Sequence, residues 1–492
     1  MGDPKAFITI PRQEAGYRPL HDRIRDYGEV EQTLNSNERR KQASRCMDCG
    51  VPFCHWACPL GNKQSEWQDL LYKGKWEAAY RVLEQTCDFP EFTGRICPAL
   101  CEKSCVVRLS CGDAVTIREN EAAIIEVAWR EGYIRPLSIR RNGKKVAVIG
   151  SGPAGLAVAN RLNRKGYEVT VIEKHEAAGG LLRYGIPNFK LLKAVIDRRI
   201  TLMEQEGIRF RYSTAIPLKD RIERGKDGKF IFPTLKDAEG FDAVCLCTGA
   251  ETPRDLPIEG RELKGIHFAL DMLAQQNRVL AGIAFPKEQL VNAKGKRVLV
   301  IGGGDTGSDC IGTSIRQGAV SVTQIEIMPQ PPVGHNDATP WPQWPIVLKT
   351  TSSHEEGCTR RWSLASNQFI GKNGKVCGVE VEEVEWIPAE GGGRPQMHKT
   401  GRKEIIEADL VFLAMGFVHP VQEGLLTELA LSVDGRQNIA VDARQKTSAE
   451  KVFACGDAVS GASLVVKAMA SGKKAAAEID CFLSGKGSIP SE

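Results

Sequence analysis

Short apolar runs recur along the chain from Lys144 onward, and most of them end in glycine. Each is rich in valine, isoleucine and leucine and too short for a helix, which is typical of strands buried on both faces of a parallel sheet. Helical segments separate several runs, so the pattern predicts an α/β fold with Rossmann-like, doubly wound sheets. The predicted strands lie in KKVAVIG (144–150), YEVTVIE (167–173), FDAVCLCTGA (241–250), GKRVLVIG (295–302), AVSVTQIEI (319–327), ADLVFLAMG (408–416) and KVFACGDA (451–458).

In the front of the chain, which is the part before Lys144, apolar residues recur at the spacing of helices instead. We expect helices over 66–86 and 116–131. The apolar residues of the first segment are expected to pack in a core: Trp67, Leu70, Leu71, Trp76, Ala79, Tyr80 and Leu83.

Length and charge narrow the class of protein. A chain of 492 residues corresponds to roughly three domains. Its net charge of +5, from 66 basic and 61 acidic residues, is too balanced for a dedicated nucleic-acid binder. No apolar run approaches the roughly 20 residues that cross a bilayer, and the first residues lack the pattern of a signal peptide. We therefore expect a cytoplasmic protein that binds neither nucleic acid nor membrane.

Nine of the sixteen cysteines lie between Cys46 and Cys111. In a reducing compartment such clustering indicates metal or redox chemistry rather than disulfides. Seven of them form two closely spaced runs, Cys46, Cys49, Cys54 and Cys58, then Cys97, Cys101 and Cys105. Such runs with a trailing proline favour iron–sulfur ligation over zinc, which usually takes well-separated C-x2-C pairs.

Seven thiolates are one short of the eight ligands that two four-ligand clusters need. The eighth ligand stays open between Cys87, Cys111 and a non-cysteine residue. Three later cysteines, Cys245, Cys247 and Cys455, lie in apolar strand-like runs and are interpreted as buried, inert thiols.

The first predicted strand leads into a glycine-rich turn, a helix and a second strand that ends in an acid, which is the full dinucleotide-binding fingerprint. Gly150 makes the tight turn, Gly152 lets the backbone approach a pyrophosphate, and Gly155 lets helix and strand pack closely. The helix N-terminus faces the phosphate charge. Glu173, 23 residues after Gly150, is expected to accept hydrogen bonds from ribose hydroxyls.

The same unit recurs about 150 residues later. Its turn residues are Gly302, Gly304, Asp305, Thr306 and Gly307, and Glu326 stands 24 residues after Gly302. Two complete fingerprints imply two bound nucleotides.

Three further predicted strands end in glycine, at Gly249, Gly416 and Gly456. A doubly wound sheet meets its ligand at the carboxyl ends of its strands. Thr248 and Asp457 lie beside two of these glycines. The carboxylate of Asp457 is expected to hold a ribityl hydroxyl of a flavin, and a plain helix N-cap is the alternative.

Taken together, these motifs resemble the family of small (β) subunits of bacterial glutamate synthase, which is related to the amino-terminal half of dihydropyrimidine dehydrogenase and to NADPH–ferredoxin reductase subunits. The resemblance covers essentially the full length. It rests on the four-cysteine run at 46–58, CPALCEKSC at 97–105, VIGSGPAG at 148–155, GGLLRYGIP at 179–187, VIGGGDTGSDC at 300–310 and CGD at 455–457.

The resemblance implies a helical iron–sulfur domain (1–140), an FAD domain in two parts (141–255 and 418–492) and an NAD(P)H domain (256–417) inserted between them. The first fingerprint would bind FAD and the second the nicotinamide nucleotide. Besides the glycines and acids of the fingerprints, the residues expected to contact a cofactor are Pro153, Ala154, Gly180, Leu181, Thr248, Gly249, Gly416, Gly456, Asp457 and Leu464.

The resemblance also implies interleaved ligation of two [4Fe–4S] clusters. One cluster would be held by Cys46, Cys49, Cys54 and Cys105, and the other by Cys58, Cys97, Cys101 and an eighth ligand. That ligand is a glutamine in dihydropyrimidine dehydrogenase, and Glu121 stands at the matching place in this chain. A surface glutamate on an ordinary helix is the alternative.

The implied function is electron input to glutamate synthase. Electrons would pass from NADH or NADPH through FAD and the clusters to a separate large (α) subunit, which makes L-glutamate from glutamine and 2-oxoglutarate. The chain would then be an oxidoreductase within a hetero-oligomer, and none of its side chains need act as a catalytic acid or base.

The choice of nicotinamide nucleotide depends on the acid at the end of the second strand. Such an acid favours the free 2′-hydroxyl of NADH and repels a 2′-phosphate. Glu326 is such an acid and no arginine follows it directly, although Arg360 and Arg361 lie elsewhere in the insert. We therefore expect NADH.

Two other functions stay open. The same fold could serve as a subunit of an electron-bifurcating NAD(P)H–ferredoxin oxidoreductase with another partner. A zinc-stabilised module fused to a flavin disulfide reductase would need a redox-active C-x2-C or C-x4-C beside the flavin. The candidate outside the cysteine-rich region, Cys245-x-Cys247, has the wrong spacing.

Overall fold

The computed structural model describes residues 3–214, 223–224, 230–231, 240–334, 336–388 and 395–485. These residues form fifteen strands: β1 Lys145–Ile149, β2 Glu168–Ile172, β3 Arg209–Arg211, β4 Glu223–Arg224, β5 Phe230–Ile231, β6 Ala243–Leu246, β7 Ile266–Phe268, β8 Arg297–Ile301, β9 Ser321–Ile325, β10 Thr359–Arg361, β11 Leu364–Lys372, β12 Lys375–Ile387, β13 Gln396–Glu407, β14 Leu410–Leu413 and β15 Val452–Ala454.

The same described residues form nineteen α-helices and one 3-10 helix, Lys287–Gln289. The α-helices are α1 Ala6–Thr9, α2 Leu20–Arg23, α3 Ser36–Ser44, α4 Phe53–Ala57, α5 Gln64–Tyr72, α6 Trp76–Thr86, α7 Pro90–Ile96, α8 Leu100–Lys103, α9 Val107–Cys111, α10 Ile117–Arg130, α11 Pro153–Arg164, α12 Leu181–Tyr184, α13 Lys193–Gln205, α14 Ala269–Leu280, α15 Asp305–Gln317, α16 Ser352–Glu355, α17 Leu425–Glu428, α18 Asp457–Ser460 and α19 Val465–Ser484. None of these helices combines the length and the apolarity that a membrane span requires.

All seven predicted strands are present, and together with β3, β7 and β10 they form two parallel sheets. The first has the order β15-β6-β1-β2-β3 and the second β10-β9-β8-β14-β7. The opening strand of each fingerprint, β1 or β8, is the central strand of its sheet, where it is covered on both sides and buried. The prediction of an α/β fold with two Rossmann-like sheets is confirmed.

The chain builds the second sheet between two strands of the first. It leaves the first sheet after β6, forms β7 to β14 and returns as β15, which pairs with β6 in parallel. The antiparallel sheet β11-β12-β13 packs its apolar side against the second parallel sheet, where Phe369 and Val381 share a buried cluster with Leu299. This topology favours an inserted domain, and the residue limits of the domains stay a prediction.

The front of the chain is helical, with one correction to the predicted helices. The segment 66–86 forms two helices, α5 and α6, because Gly74 between them has a φ of +72°. Backbone in this left-handed region cannot continue a right-handed helix, and it favours glycine. The predicted helix over 116–131 is confirmed as α10.

Two helices of the front approach each other unusually closely. A Cβ on Gly94 of α7 would lie 2.9 Å from the Cα of Ala122 in α10. Only glycine permits this contact between backbones. It brings Thr93, the neighbour of Gly94, against Glu121, the neighbour of Ala122.

Buried ion pairs join the front to both sheets. Arg23 of α2 and Arg316 of α15 both contact Glu356, whose side chain is fully buried. Arg199 of α13 contacts Glu91 of α7 at 2.6 Å, and this pair is also buried. Because a buried charge is costly without its partner, these pairs fix the front relative to the two parallel sheets.

Candidate functional site

The first glycine-rich turn leaves no room for a side chain at two of its three glycines. A Cβ on Gly155 would lie 2.0 Å from the carbonyl oxygen of Gly150, and a Cβ on Gly150 would lie 2.4 Å from that of Cys247. Gly152 has no atom within 4 Å of its Cβ position. Two glycines are thus required by packing, and the third leaves open space in front of the backbone, as a pyrophosphate site needs.

The second turn has the same geometry. A Cβ on Gly307 would lie 2.4 Å from the carbonyl oxygen of Gly302, and one on Gly302 would lie 2.3 Å from a carbonyl just after β14. Gly304 again has no atom within 4 Å of its Cβ position. Each turn opens a helix, α11 at Pro153 and α15 at Asp305. The free N–H groups of such helix starts attract phosphate.

Both predicted ribose acids are held next to their turns. The Glu173 carboxylate accepts hydrogen bonds from the N–H groups of Ser151 (3.1 Å) and His175 (2.9 Å). The Glu326 carboxylate accepts one from the N–H of Gly303 at 2.6 Å. These bonds hold each carboxylate at the end of its strand, and the ribose contacts themselves stay a prediction.

The GGLL segment packs directly on the first turn. Gly180 has a φ of +52°, and a Cβ there would lie 2.8 Å from the Cα of Gly152. The N–H of Gly179 donates to the hydroxyl of Ser151 at 3.0 Å. Leu181, which follows, lines the same cleft as Gly150 and Gly152.

Asp457 begins a helix rather than capping it, so the N-cap alternative is wrong. The N-cap of α18 is Gly456, and no side chain caps that helix. The Asp457 carboxylate instead accepts a hydrogen bond of 2.6 Å from the Ser463 hydroxyl, and burial raises its pKa. The nearby hydroxyl of Thr248 is buried without a hydrogen-bond partner among the described residues. A buried orphan hydroxyl at this place fits a polar cofactor as its missing partner.

One cleft of about 1610 Å³ joins these elements. This volume exceeds the roughly 300–1,000 Å³ of an ordinary small-molecule site. The predicted residues that line it are Gly150, Gly152, Pro153, Ala154, Glu173, Gly180, Leu181, Thr248, Gly249, Asp305, Thr306, Asp457, Leu464 and Cys97. The first glycine turn, the start of α15 and one cysteine of the front therefore open into the same space.

Several predicted residues lie outside the walls of this cleft. Gly155, Gly302, Gly307 and Gly456 are packed against backbone or side-chain atoms of neighbouring segments. Gly304, Glu326 and Gly416 lie at the carboxyl edge of the second sheet, and the Cβ position of Gly416 is also free of neighbours within 4 Å. Their contacts with a nucleotide stay a prediction.

The cleft also contains an ion pair that no sequence pattern predicts. The Lys190 ammonium lies 2.5 Å from the Asp309 carboxylate of α15, and both residues line the cleft. Burial raises the pKa of Asp309 and lowers that of Lys193, to about 7. The Lys193 ammonium donates to the carbonyl oxygen of Ile186 at 2.6 Å. Asp309 stands in the motif VIGGGDTGSDC, whereas Lys190 lies three residues after GGLLRYGIP, and only the tertiary structure brings the two together.

The cysteines assigned to the first cluster lie together. Cys46, Cys49, Cys54 and Cys105 all line one small cavity between α4 and the α8–α9 region. Burial raises the pKa of Cys46 to about 12. Thiols in this environment ionise only beside positive charge, so the cavity fits thiolates that are bound to metal.

The second set of candidate ligands is also close together. Burial raises the pKa of Cys101, and the charges of Glu102, Cys58, Cys97 and Glu121 raise it further.

Glu121 is buried, so the alternative of a surface glutamate is wrong. Its residue exposure is 7%. One carboxylate oxygen accepts a hydrogen bond from Thr93, and the other accepts one from the Asn62 amide at 3.4 Å. Burial raises the pKa of Glu121 to about 7. A buried carboxylate beside three cysteines fits the predicted eighth ligand.

The separation of the front cysteines favours clusters over a single zinc ion. A tetrahedral zinc site, with Zn–S bonds of about 2.3 Å, would place its sulfurs within about 4 Å of one another. Among the described residues, only Cys245, Cys247 and Cys455 have ligand atoms that all lie within 4.8 Å of each other. The front cysteines are spaced more widely, as ligands of different iron atoms must be.

Two family models match the chain. The model described as dihydropyrimidine dehydrogenase domain II, 4Fe-4S cluster, matches residues 23–133. The model described as pyridine nucleotide-disulphide oxidoreductase matches residues 144–340 and 366–472. The second match covers more than half of the chain and includes both glycine turns.

Curated relatives match over the full length. The chain is 43% identical to the glutamate synthase [NADPH] small chain of Mycobacterium tuberculosis over 495 residues, covering 100% of this chain and 98% of that one. It is 39% identical to the small chain of the same name from Bacillus subtilis, covering 100% of both. It is 40% identical to glutamate synthase [NADH] of Schizosaccharomyces pombe, covering 99% of this chain and 23% of that much longer one.

Solved structures share the fold of the two parallel sheets. The His57Gln mutant of FprA from Mycobacterium tuberculosis aligns with a TM-score of 0.53 and 18% identity, covering 71% of this chain and 85% of that one. The complex of FprA with NADPH aligns with a TM-score of 0.52. At this identity the likeness shows the fold alone.

The glycine geometry predicts different results for two similar substitutions. We expect Gly152→Ala to fold like the unmodified chain, because its Cβ meets nothing, but to retain at least tenfold less FAD, because the methyl group projects into the space for pyrophosphate. We expect Gly155→Ala to lower thermal stability as well, because its Cβ overlaps the carbonyl of Gly150. Flavin absorbance after gel filtration and the unfolding midpoint measure the two effects. Full flavin retention by Gly152→Ala would contradict the assignment.

Proposed function

The chain belongs to the family of glutamate synthase small chains, and we propose that it is the electron-input subunit of a glutamate synthase. In this function it oxidises a nicotinamide nucleotide and supplies electrons to a large partner subunit, which makes L-glutamate from glutamine and 2-oxoglutarate. The bacterial relatives match over nearly their whole length and are named small chains. A separate large subunit is therefore the expected partner.

The single cleft supports this function most strongly. The first glycine turn, the helix start of the second turn and Cys97 all line it. Electron transfer from one cofactor to the next requires the cofactors to lie close together. When cofactors carry out the chemistry, the protein contributes by holding them at this distance. One space bordered by the first nucleotide turn, the start of α15 and a candidate cluster ligand meets this requirement.

The residues of the chain bind and orient the cofactors. Bound FAD and iron–sulfur clusters would supply the conversion of two-electron hydride chemistry into single-electron transfer. The backbone at Gly152, with the start of α11, would hold the FAD pyrophosphate, and the Asp457 carboxylate would accept a hydrogen bond from a ribityl hydroxyl. The backbone at Gly304, with the start of α15, would hold the pyrophosphate of the nicotinamide nucleotide.

We assign two [4Fe–4S] clusters to the front of the chain. Cys46, Cys49, Cys54 and Cys105 share one cavity, which supports the first ligand set. The second set is Cys58, Cys97, Cys101 and Glu121. The contact of Thr93 with Glu121 supports this set because it holds the carboxylate near Cys58 and Cys97.

The iron content of Glu121 variants tests the assignment of the eighth ligand. We expect the full-length chain to carry about eight iron atoms and Glu121→Ala about four, because one [4Fe–4S] cluster loses a ligand while the other keeps all four. Glu121→Gln should retain most of the iron, since an amide oxygen can replace the carboxylate. Iron analysis and electron paramagnetic resonance of the reduced protein measure the result.

A neighbouring glutamate on the same helix provides the control. Glu119 pairs with Arg39 at 2.9 Å, and Glu119→Ala should keep the full iron content. An iron content of Glu121→Ala equal to that of the unmodified chain would rule out this ligand.

We propose NADH as the reductant. Glu326 is held at the end of β9 by the N–H groups of Gly303 and Ile327, where its charge would face the 2′ position of an adenosine ribose. Arg361 lies beside Glu326 in the sheet, but its guanidinium contacts Glu404. Relatives are named for NADPH as well as for NADH, so the family does not fix the choice.

Removing the acid should change the nucleotide preference. We expect Glu326→Ser to raise kcat/KM for NADPH about tenfold relative to that for NADH, because it removes the repulsion of a 2′-phosphate. Glu385→Gln, an exposed change on β12, should leave the ratio unchanged. Steady-state reduction of a dye by each nucleotide measures the ratio. A clear preference of the unmodified chain for NADPH would refute the proposal.

The proposed activity is tested on the native complex. We expect the chain to copurify with a large subunit and to oxidise NADH only when glutamine and 2-oxoglutarate are both present. Cys97→Ser should reduce this activity at least a hundredfold, whereas Cys111→Ser should not, because Cys111 is exposed and donates only to the Phe7 carbonyl. Copurification with a ferredoxin-like subunit, and no dependence on glutamine, would instead favour the oxidoreductase alternative.

A further inference from the structure

Three buried cysteines meet at the carboxyl edge of the first sheet, away from the cysteine-rich front. Cys245 lies in β6, Cys247 directly after it, and Cys455 directly after β15. Residues two apart on a strand share a face, and the pairing of Ala454 with Leu246 places Cys455 beside Cys247. The exposed fractions of Cys245, Cys247 and Cys455 are 0%, 6% and 0%. We call these three residues the thiol triad.

The sulfurs of the triad form a compact triangle. The Sγ–Sγ distances are 3.7 Å from Cys245 to Cys247, 4.0 Å from Cys245 to Cys455 and 3.4 Å from Cys247 to Cys455. A point equidistant from the three sulfurs therefore lies about 2.2 Å from each, which is close to a metal–thiolate bond of about 2.3 Å. An ion at this point would bond all three sulfurs after little movement of the side chains.

The number of ligands at the triad and its burial determine which ion it would bind. No fourth histidine, cysteine or carboxylate among the described residues joins the triad within bonding range, whereas a structural zinc site takes four protein ligands. Burial also disfavours net charge. Three thiolates leave a net charge of −2 around a monovalent ion and −1 around a divalent ion, but none around a trivalent one.

We propose that Cys245, Cys247 and Cys455 form a binding site for a trivalent, thiophilic metalloid, which arsenite would supply.

The binding step is an exchange of ligands without oxidation or reduction. Arsenite in water is As(OH)₃. Three S–H bonds and three As–OH bonds break, three As–S bonds form, and three water molecules are released. The three side chains enter this exchange as thiols, and each gives its proton to the hydroxide that leaves arsenic. Neutral reactants then give a neutral, buried product.

The triad lies directly beneath the first glycine turn. The Cβ position of Gly155 is 3.3 Å from the Cβ of Cys247, and Gly150 packs on the Cys247 carbonyl. Cys247 and Cys455 also line the large cleft, which is the route by which a small solute would reach them. A flavin on the turn would cover this route, so binding of arsenite should be faster in the flavin-free chain. This last expectation rests on the assignment of FAD to the first turn.

The proposal can be tested with the full-length chain, purified with its clusters, in a flavin-free and an FAD-saturated sample. We expect one arsenic atom per flavin-free chain by mass spectrometry under native conditions, with the gain of one arsenic less three hydrogens. X-ray absorption at the arsenic edge should show three sulfur neighbours at one distance. The FAD-saturated sample should take up arsenic at least tenfold more slowly.

Matched cysteine variants test whether arsenic binds at the triad. Cys455→Ala should bind no arsenic while keeping its iron, whereas Cys310→Ala, which removes a single buried thiol of α15, should still bind one atom. A retained unfolding midpoint shows that Cys455→Ala is folded, and Cys247→Ala serves as the second variant. Arsenic uptake by both triad variants equal to that of the unmodified chain, or no uptake by the unmodified chain, overturns the proposal. Equal rates with and without FAD would leave the site standing but would contradict the assignment of FAD to this turn.

Discussion

The structure depends on a backbone contact that tolerates no side chain. In each parallel sheet, the last glycine of the turn after the central strand lies so close to the carbonyl of the first that a Cβ would approach it to 2.0 Å or 2.4 Å. This contact sets the start of α11 and of α15 directly against the strands, with their N–H groups facing outward. The middle glycine of each turn is consequently exposed to open space, which a pyrophosphate can fill.

The arrangement of the two sheets follows from the return of the chain to β6. Because β15 pairs with β6 after the whole second sheet has been formed, the first turn, Asp457 and the triad share one edge of the first sheet. The front packs over this edge. The Lys473 ammonium of α19 donates to the carbonyl oxygens of Thr86 (2.7 Å) and Leu60 (3.4 Å). These contacts fix the residues next to Cys58 and Cys87 relative to the nucleotide-binding part.

The local sequence pattern is sufficient to predict much of this architecture and part of the site. Strands such as β1 and β8 are short, apolar and followed by glycine, so composition alone predicts them. Glu121 is predicted because it stands where dihydropyrimidine dehydrogenase has a ligating glutamine, but its burial depends on the close packing of Gly94 on Ala122, which no sequence pattern shows. The break at Gly74 and the pair of Lys190 with Asp309 were missed. A single glycine is compatible with a continuous helix in sequence, and an ion pair between distant segments has no periodic signal.

In the proposed function, electrons move from a nucleotide in the cleft to metal centres at the front of the same chain. The most direct measurement is an anaerobic titration of the isolated, full-length protein with NADH, recorded by visible and electron paramagnetic resonance spectroscopy. We predict that the flavin absorbance is lost and that signals of reduced iron–sulfur clusters grow with the added nucleotide. A protein whose flavin is reduced while its clusters stay oxidised at every NADH concentration, although dithionite reduces them, would rule out this electron transfer.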